Sequence, residues 1–249
     1  MLGHPVGHSR SPAIHNAAYE ELGLDWRYVK LPVPPELFEE TVRALGGSGY
    51  RGANVTIPHK LAALRIADAA SDAARAIGAS NTLTFEDGRI EADNTDAGGL
   101  LDALDRPVSG LRAVVLGAGG AGRAAVWALR EAGAEVAVWN RTRERAKELA
   151  REFEVEYVDA PAHVDLLVNA TSVGLDPRDT LEGLPLGGAD LVVDLVYGGT
   201  TPLQTWAERA NATFVDGLEV LVRQGARSFE IWTGRPAPLD AMRGAARQA

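Results

Sequence analysis

The sequence predicts an α/β fold in two units, each built on a mostly parallel sheet. Three observations carry that prediction. Helix and strand patterns alternate from one end of the chain to the other. A turn-rich stretch, DRPVSG (105–110), separates one run of alternation from the next. Directly after it, LRAVVLGAGGAGRAAVWALREAG (111–133) reads as an unbroken apolar strand, a glycine turn and a helix. Two such units meeting near residues 97–110 are expected to leave a cleft, a usual place for a small-molecule site.

The elements follow in order. SPAIHNAAYEELGL (11–24) is a helix with Ser11 as N-cap, Pro12 at its first position and Gly23 near its end. DWRYVKLPV (25–33) is a strand, and PPELFEETVRALGG (34–47) a helix entered by proline and left by glycines. YRGANVTIP (50–58) is a strand that Pro58 stops, because proline cannot donate to the ladder. KLAALRIADAA (60–70) is a helix. ASNTLTFEDGRIEADNT (79–95) is a hairpin turning at Asp87-Gly88. Beyond the hinge, AEVAVWNRT is a second strand, RERAKELAREF a charged helix, and VDLLVNATSVG and ADLVVDLVYGG strands of the doubly buried kind. The chain closes on helical patterns from Leu218 onward. The expected divisions are 1–97, 98–215, and a C-terminal helical segment, 216–249, packing back on the first unit.

Composition removes several classes of function. A net charge of −9 over 249 residues argues against a general nucleic-acid or anionic-membrane surface. There is no cysteine, so no disulfide framework and no thiolate chemistry, which fits a reducing cytoplasm, the expected compartment. No run of 18 apolar residues occurs, and MLGHPVGHSRSP is too polar and Pro-broken for a signal peptide. The five histidines lack metal-ligand spacing, so no metal site is expected.

Four constellations carry chemistry. In GAGGAG (117–122), Gly117, Gly119 and Gly122 have G-x-G-x-x-G spacing between a strand and a helix. The first glycine permits the tight turn, the second a close approach of backbone to a pyrophosphate, and the third close helix–strand packing. The next strand ends VWNRTRERA, with Asn140, Arg141, Arg143 and Arg145 and no carboxylate at the tip. An NAD site usually ends this strand on Asp or Glu, whereas guanidiniums suit a 2′-phosphate, so NADP is favoured. A basic run also opposes the helix dipole there, which a merely solvated helix start would not choose. In GHSRSP, Ser9 and Ser11 stand two apart and can share a carboxylate, although for Ser11 alone a helix cap is the simpler reading. Finally, Thr56, Lys60, Asn81, Thr95 and Asp96 form a polar set at element ends facing the expected cleft. Lys60 alone would read as a solvated loop lysine.

These segments together resemble the shikimate dehydrogenases along nearly the whole chain: GHPVGHSRSPAIHN, GANVTIPHK, AIGASNTL, DNTDAGG, VVLGAGGAGRA, WNRTRERA, NATSVG, DLVYGGTTPL and GLEVLVRQGARSFEIWTG, in that order. The resemblance implies an N-terminal α/β substrate domain, an NADP-binding Rossmann domain with a cleft between them, and NADPH-dependent reduction of 3-dehydroshikimate to shikimate. By matching position, Lys60 and Asp96 would be the catalytic pair, and Ser9 and Ser11 would bind the substrate carboxylate with Tyr197 nearby. Thr56, Asn81 and Gln224 would meet carboxylate or hydroxyl groups. Gly117, Gly119, Gly120, Ala121 and Gly122 would cradle the pyrophosphate, and Asn140, Arg141, Thr142 and Arg145 would surround the adenosine 2′-phosphate. Thr171, Leu195 and Gly217 complete the implied cofactor set, Gly217 at the nicotinamide. A small-molecule substrate and no nucleic-acid or membrane partner are implied, and a homodimer is compatible with the resemblance.

The chain departs from the family pattern in four places. It starts at MLGHP, so its first strand is expected short or missing. Arg10 links the two serines, Gly198-Gly199 replaces a proline-bearing turn, and Val220 replaces a usual methionine beside the nicotinamide. A quinate or amino-analogue enzyme of the same fold is the competing enzymatic reading. A cofactor-binding sensor is the competing non-enzymatic one, and it expects damage at Lys60 or Asp96, both of which are present.

Overall fold

The computed structural model describes residues 1–176 and 178–249. They form two compact units, one of residues 1–99 with 221–249 and one of residues 100–220.

The first unit begins with β1 (Leu2–Gly3), α1 (Ser11–Glu21), β2 (Leu31–Pro32), a 3-10 turn over Pro35–Leu37, and α2 (Phe38–Gly47). It continues with β3 (Gly52–Asn54), α3 (Lys60–Ile66), β4 (Ala69–Ala70), α4 (Asp72–Ile77), β5 (Thr82–Glu86) and β6 (Arg89–Asp93), and reaches α5 (Thr95–Leu104). The second unit holds β7 (Arg112–Leu116), α6 (Gly120–Glu131), β8 (Glu135–Trp139), α7 (Arg143–Glu152), β9 (Glu156–Tyr157), β10 (Val164–Asn169), β11 (Ala189–Asp194), α8 (Pro202–Arg209) and β12 (Thr213–Val215). Helix α9 (Gly217–Thr233) carries the chain onward, and α10 (Leu239–Gln248) ends it.

In the first unit the strand order is β3-β5-β6-β4, with β3–β5 and β5–β6 antiparallel and only β4–β6 parallel. This corrects the expectation of a mostly parallel sheet there: a two-residue hairpin at Asp87-Gly88 joins antiparallel neighbours by construction. Both turn residues have positive φ, 49° and 75°, as a type I′ turn requires. The first strand is present but two residues long. It pairs in parallel with β2, and Leu2 bridges Val55 beyond the end of β3.

Three local expectations are also corrected. The strand expected over 25–33 shortens to Leu31–Pro32, since Asn16 takes the backbone of Tyr28 that a ladder would have used. The helix expected over 60–70 stops at Ile66, and Ala69–Ala70 instead pairs with β6. Ser11 does not cap α1: it is the first helical residue, and Arg10 occupies the cap position without a side-chain bond to the helix. The Arg10 guanidinium reaches out of that position to donate to the Ala246 carbonyl in the last turn of α10, at 2.9 Å. Helix α4, capped by the Ser71 hydroxyl on Ala74 N–H, has no counterpart among the expected elements.

The second unit is one six-stranded parallel sheet in the order β12-β11-β10-β7-β8-β9, the strand arrangement of a Rossmann fold. Period-two burial builds both of its faces. Ala113 and Val115 of β7, Val136 and Val138 of β8, and Leu191 and Val193 of β11 enter one core. Val114 and Leu116, Ala137, and Val192 enter the other. Val220 is buried in the first of these cores. The order reverses between β7 and β10, so the C-terminal ends of those strands form the topological switch point where such sheets bind ligands.

Candidate active site

The first unit assembles a polar site from the ends of four elements. Val55, Thr56 and the cis Ile57–Pro58 peptide carry the chain off β3, and Lys60 is then the first residue of α3 rather than a loop residue. Its Nζ donates to Asp96 Oδ2 at 2.6 Å. Asp96 lies in the first turn of α5, whose opening amides at 96 and 97 are taken by the Asn94 side chain. A carboxylate is favoured there by the helix dipole. The two side chains are 13% and 20% exposed, so the pair is sheltered yet open to a ligand or water.

Asn81, just ahead of β5, fixes the other Asp96 oxygen, donating from Nδ2 at 2.8 Å. The same amide nitrogen is within 2.9 Å of Thr95 Oγ1 and 3.2 Å of Gln224 Oε1, while Asn81 Oδ1 accepts from Thr95 N–H at 2.7 Å. Gln224 comes from α9 and is anchored by its own Nε2 on the Leu221 carbonyl. Its closeness is made possible by Gly99: a Cβ there would sit 2.6–2.8 Å from Cβ, N and Cα of Gln224. Ser9 and Ser11 are buried with hydroxyls 3.2 Å apart, and Ser11 N–H points to Ser9 Oγ at 3.3 Å. Thr56 is placed differently. Its amide donates to the Leu2 carbonyl and its methyl fills the space where Gly3 lacks a side chain.

A buried polar layer lies behind this site, and the sequence reading did not contain it. Ser228 Oγ lies 2.8 Å from Asn54 Nδ2, 3.0 Å from Thr82 Oγ1 and 3.1 Å from Thr95 Oγ1, and Tyr28 donates to Asn54 Oδ1 at 2.8 Å. Buried polar groups satisfied in this way fix one another's rotamers. The available signal was Asn54 at a buried strand position.

In the second unit the expected cofactor residues sit at the C-terminal ends of the parallel strands. Gly117 leaves β7 with φ 111°, which an L side chain rarely adopts. A Cβ at Gly122 would lie 2.0 Å from the Gly117 carbonyl oxygen, so helix and turn can approach only without it. Gly119 holds the cap position of α6, and Gly120 and Ala121 open the helix, at the end where first-turn amides have no partner within a helix and favour an anion. Asn140, past β8, accepts from Ala118 N–H at 3.2 Å and donates to the Thr142 carbonyl at 3.0 Å, coupling the glycine turn to the arginine segment. Arg141, Thr142 and Arg145 are exposed, whereas Arg143 pairs with Asp159 at 3.2 Å. Thr171 follows β10, Leu195 follows β11, and Gly217 opens α9. Tyr197 also lies in this unit, half-buried between β11 and α8 and followed by Gly198 at φ 120°.

Among the described residues no group of three or more metal-ligating side chains comes together, and no helix is long and apolar enough to cross a membrane.

Residues 1–83 match the shikimate dehydrogenase substrate binding domain, residues 102–173 the shikimate/quinate 5-dehydrogenase family, and residues 217–247 the shikimate 5′-dehydrogenase C-terminal domain. A shikimate dehydrogenase (NADP(+)) of Methanothermobacter thermautotrophicus is 43% identical over 270 aligned positions, covering 100% of this chain and 95% of that protein. The crystal structure of shikimate 5-dehydrogenase from Thermus thermophilus in complex with NADP(H) and shikimate is 44% identical, covering 99% of this chain and 97% of that one, with a TM-score of 0.91. The shikimate dehydrogenase of Aquifex aeolicus superposes with a TM-score of 0.93 at 36% identity, covering 99% of this chain and 96% of that one. The chain belongs to the shikimate dehydrogenase family.

Proposed function

We propose that this chain catalyses the reversible, NADPH-dependent reduction of 3-dehydroshikimate to shikimate, with Lys60 and Asp96 handling the proton. The observation that carries the reading is the Lys60–Asp96 contact of 2.6 Å in a sheltered site whose second carboxylate oxygen is already held by Asn81. Reducing a ketone places negative charge on its oxygen, and a proton donor must stand within hydrogen-bond reach. Lys60 supplies both that proton and a fixed positive charge. Asp96 orients the ammonium and accepts a substrate hydroxyl, so the two act as a coupled pair.

The remaining groups bind. Ser9 and Ser11 offer two adjacent hydroxyls to a carboxylate, with Thr56, Tyr197 and Gln224 meeting carboxylate or ring hydroxyls. The second unit fits a dinucleotide, since the Gly117–Gly122 approach leaves backbone amides bare of side chains where a pyrophosphate needs them. When bound there, NADPH supplies the hydride. Arg141 and Arg145, with Asn140 and Thr142, take its 2′-phosphate, while Gly119, Gly120 and Ala121 line the pyrophosphate and Thr171, Leu195 and Gly217 the nicotinamide end. A cytoplasmic homodimer belongs to the same reading, and sedimentation as a monomer at every concentration would remove the dimer.

Steady-state assays with shikimate and quinate, each with NADP and NAD, test the function. Shikimate with NADP should give the highest kcat/KM. Equal or better turnover of quinate with NAD would overturn the assignment.

A further inference from the structure

Asp194 ends β11 and is fully buried. Its Oδ1 accepts from Asn169 Nδ2 at 2.8 Å and from Val196 N–H at 3.1 Å, and its Oδ2 accepts from the Thr201 hydroxyl at 2.7 Å. All three donors are neutral. Burial pushes the carboxyl above the ordinary aspartate range, and the hydrogen bonds from Thr201, Val196 and Asn169 only partly offset it. A buried carboxylate held by neutral donors alone contributes little to stability. What it does hold is a set of loops.

Asn169, pinned by Asp194, uses its own Oδ1 to take both the amide of Thr171 at 3.1 Å and its hydroxyl at 2.7 Å. Its backbone carbonyl takes Leu195 N–H at 3.0 Å. Thr201, while donating to Asp194, also caps α8 by accepting from Gln204 N–H. Gly217 rests on the same turn: a Cβ there would stand 2.5 Å from the Asp194 carbonyl oxygen and 2.6 Å from that of Val196. Thr171 is therefore fixed to the Asp194 carboxylate by way of Asn169, while Leu195 and Gly217 sit on the same turn through backbone contacts. The arginine segment hangs instead on β8, through Asn140.

We propose that Asp194 is a positioning residue for the nicotinamide end of the cofactor, and that it has no part in gripping the adenosine 2′-phosphate. This rests on the cofactor reading above. Asp194→Asn is nearly isosteric: its carbonyl can still accept from Asn169 and Val196, but its amide presents hydrogens to the Thr201 hydroxyl, which loses its acceptor.

The test uses the full chain and two probes, NADPH by fluorescence titration and 2′,5′-ADP, which lacks the nicotinamide, by calorimetry. Asp194→Asn should weaken NADPH by about tenfold, the loss that one hydrogen bond to a charged group carries. Binding of 2′,5′-ADP should stay within about twofold, as expected of independent sites. Thr201→Val should repeat the pattern and Thr201→Ser, which keeps the hydroxyl, should restore NADPH binding; this pair carries the test if Asp194→Asn does not fold. Equal weakening of both probes would make Asp194 a support of the whole unit and overturn the proposal, as would unchanged NADPH binding. Wild-type protein that binds neither probe would instead overturn the cofactor reading on which the proposal stands.

Discussion

Lys60→Ala separates chemistry from folding. The variant removes the ammonium that lies 2.6 Å from Asp96 Oδ2 and leaves the carboxylate held at Oδ1 by Asn81. Exposed ion pairs contribute about 0.2–1 kcal/mol, while stripping one partner from a buried pair costs about 3–5 kcal/mol. With side chains 13% and 20% exposed and water able to reach the orphaned oxygen, the loss here should be about 1–2 kcal/mol. Against a typical total of about 5–15 kcal/mol, nearly all of the protein stays folded. General acid–base help contributes a factor of about 10²–10⁴, or roughly 3–5 kcal/mol of barrier. The kinetic effect therefore exceeds the stability effect, and kcat should fall by that factor with a modest change in KM for shikimate, whose carboxylate is bound elsewhere. Asp96→Asn should slow turnover similarly, and the double variant should lose less than the product of the single losses because the two groups act as one. Steady-state rates on protein shown to be folded by urea titration provide the measurement. Near-wild-type kcat in Lys60→Ala would refute the reasoning and return this residue to a structural role.

Arg141→Ala with Arg145→Ala should raise KM for NADPH about ten- to a thousandfold, since the roughly 1.5–3 kcal/mol of a charge-assisted bond is reduced by water at these exposed side chains, and leave NADH nearly unaffected; equal effects on both cofactors would sink the 2′-phosphate assignment. Ser9→Ala with Ser11→Ala should weaken shikimate binding and spare NADPH binding, and because it strips the buried Ser11 amide of its Ser9 Oγ acceptor, urea stability should fall by about 1–3 kcal/mol; unchanged shikimate binding would remove the clamp. His15 is fully buried, and burial, helped by the N-terminal charge and only partly offset by Asn54, pushes its pKa from 6.5 down to about 3. The unfolded chain thus takes a proton that the folded state refuses, so stability falls as pH drops below 6.5, by roughly 2 kcal/mol on reaching pH 5. His15→Phe keeps an aromatic ring on Tyr28, stacked at 4.3 Å, and should abolish that loss; identical acid destabilisation in both proteins would exclude this histidine as its source.

The second unit was legible because its physics is local and periodic. Residues Ala113 to Leu116 feed two cores in turn, an alternation that a run of apolar side chains announces directly, and Gly117 and Gly122 mark a close approach that only glycine tolerates. The first unit was legible mainly in its hairpin. Its parallel edge depends on two-residue strands, Leu2–Gly3 and Leu31–Pro32, too short to show any period. At the site, the polar residues at element ends could be named, and Lys60 and Asp96 paired by resemblance, but not the web by which Asn81 ties Asp96 to Thr95 and Gln224. Asn54, Thr82 and Ser228 lie far apart in sequence and look like ordinary strand and helix positions until the fold brings them together. The role of Arg10 was invisible for the same reason, since its partner is the carbonyl of Ala246.

Lys60 stands on the wrong helix end for its charge. A first helical residue sits at the positive end of the macrodipole, where an acidic side chain is stabilised by about 0.3–1 kcal/mol and a lysine is opposed by a similar amount. Asp96, in the first turn of its own helix, occupies the favourable sign. The pair is thus asymmetric: the carboxylate is held by its helix and by Asn81, while the ammonium is held by the carboxylate and opposed by its helix. On the proposed mechanism Lys60 gives up a proton at one stage of the reaction and recovers it at another. Moving the charge tests this directly. Exchanging the residues, Lys60→Asp with Asp96→Lys, should keep an ion pair and move the dipole conflict from α3 to α5, yet abolish turnover because the ammonium now springs from the other helix. Substantial activity in the exchanged protein would show that only the pair matters, and not which element presents the proton.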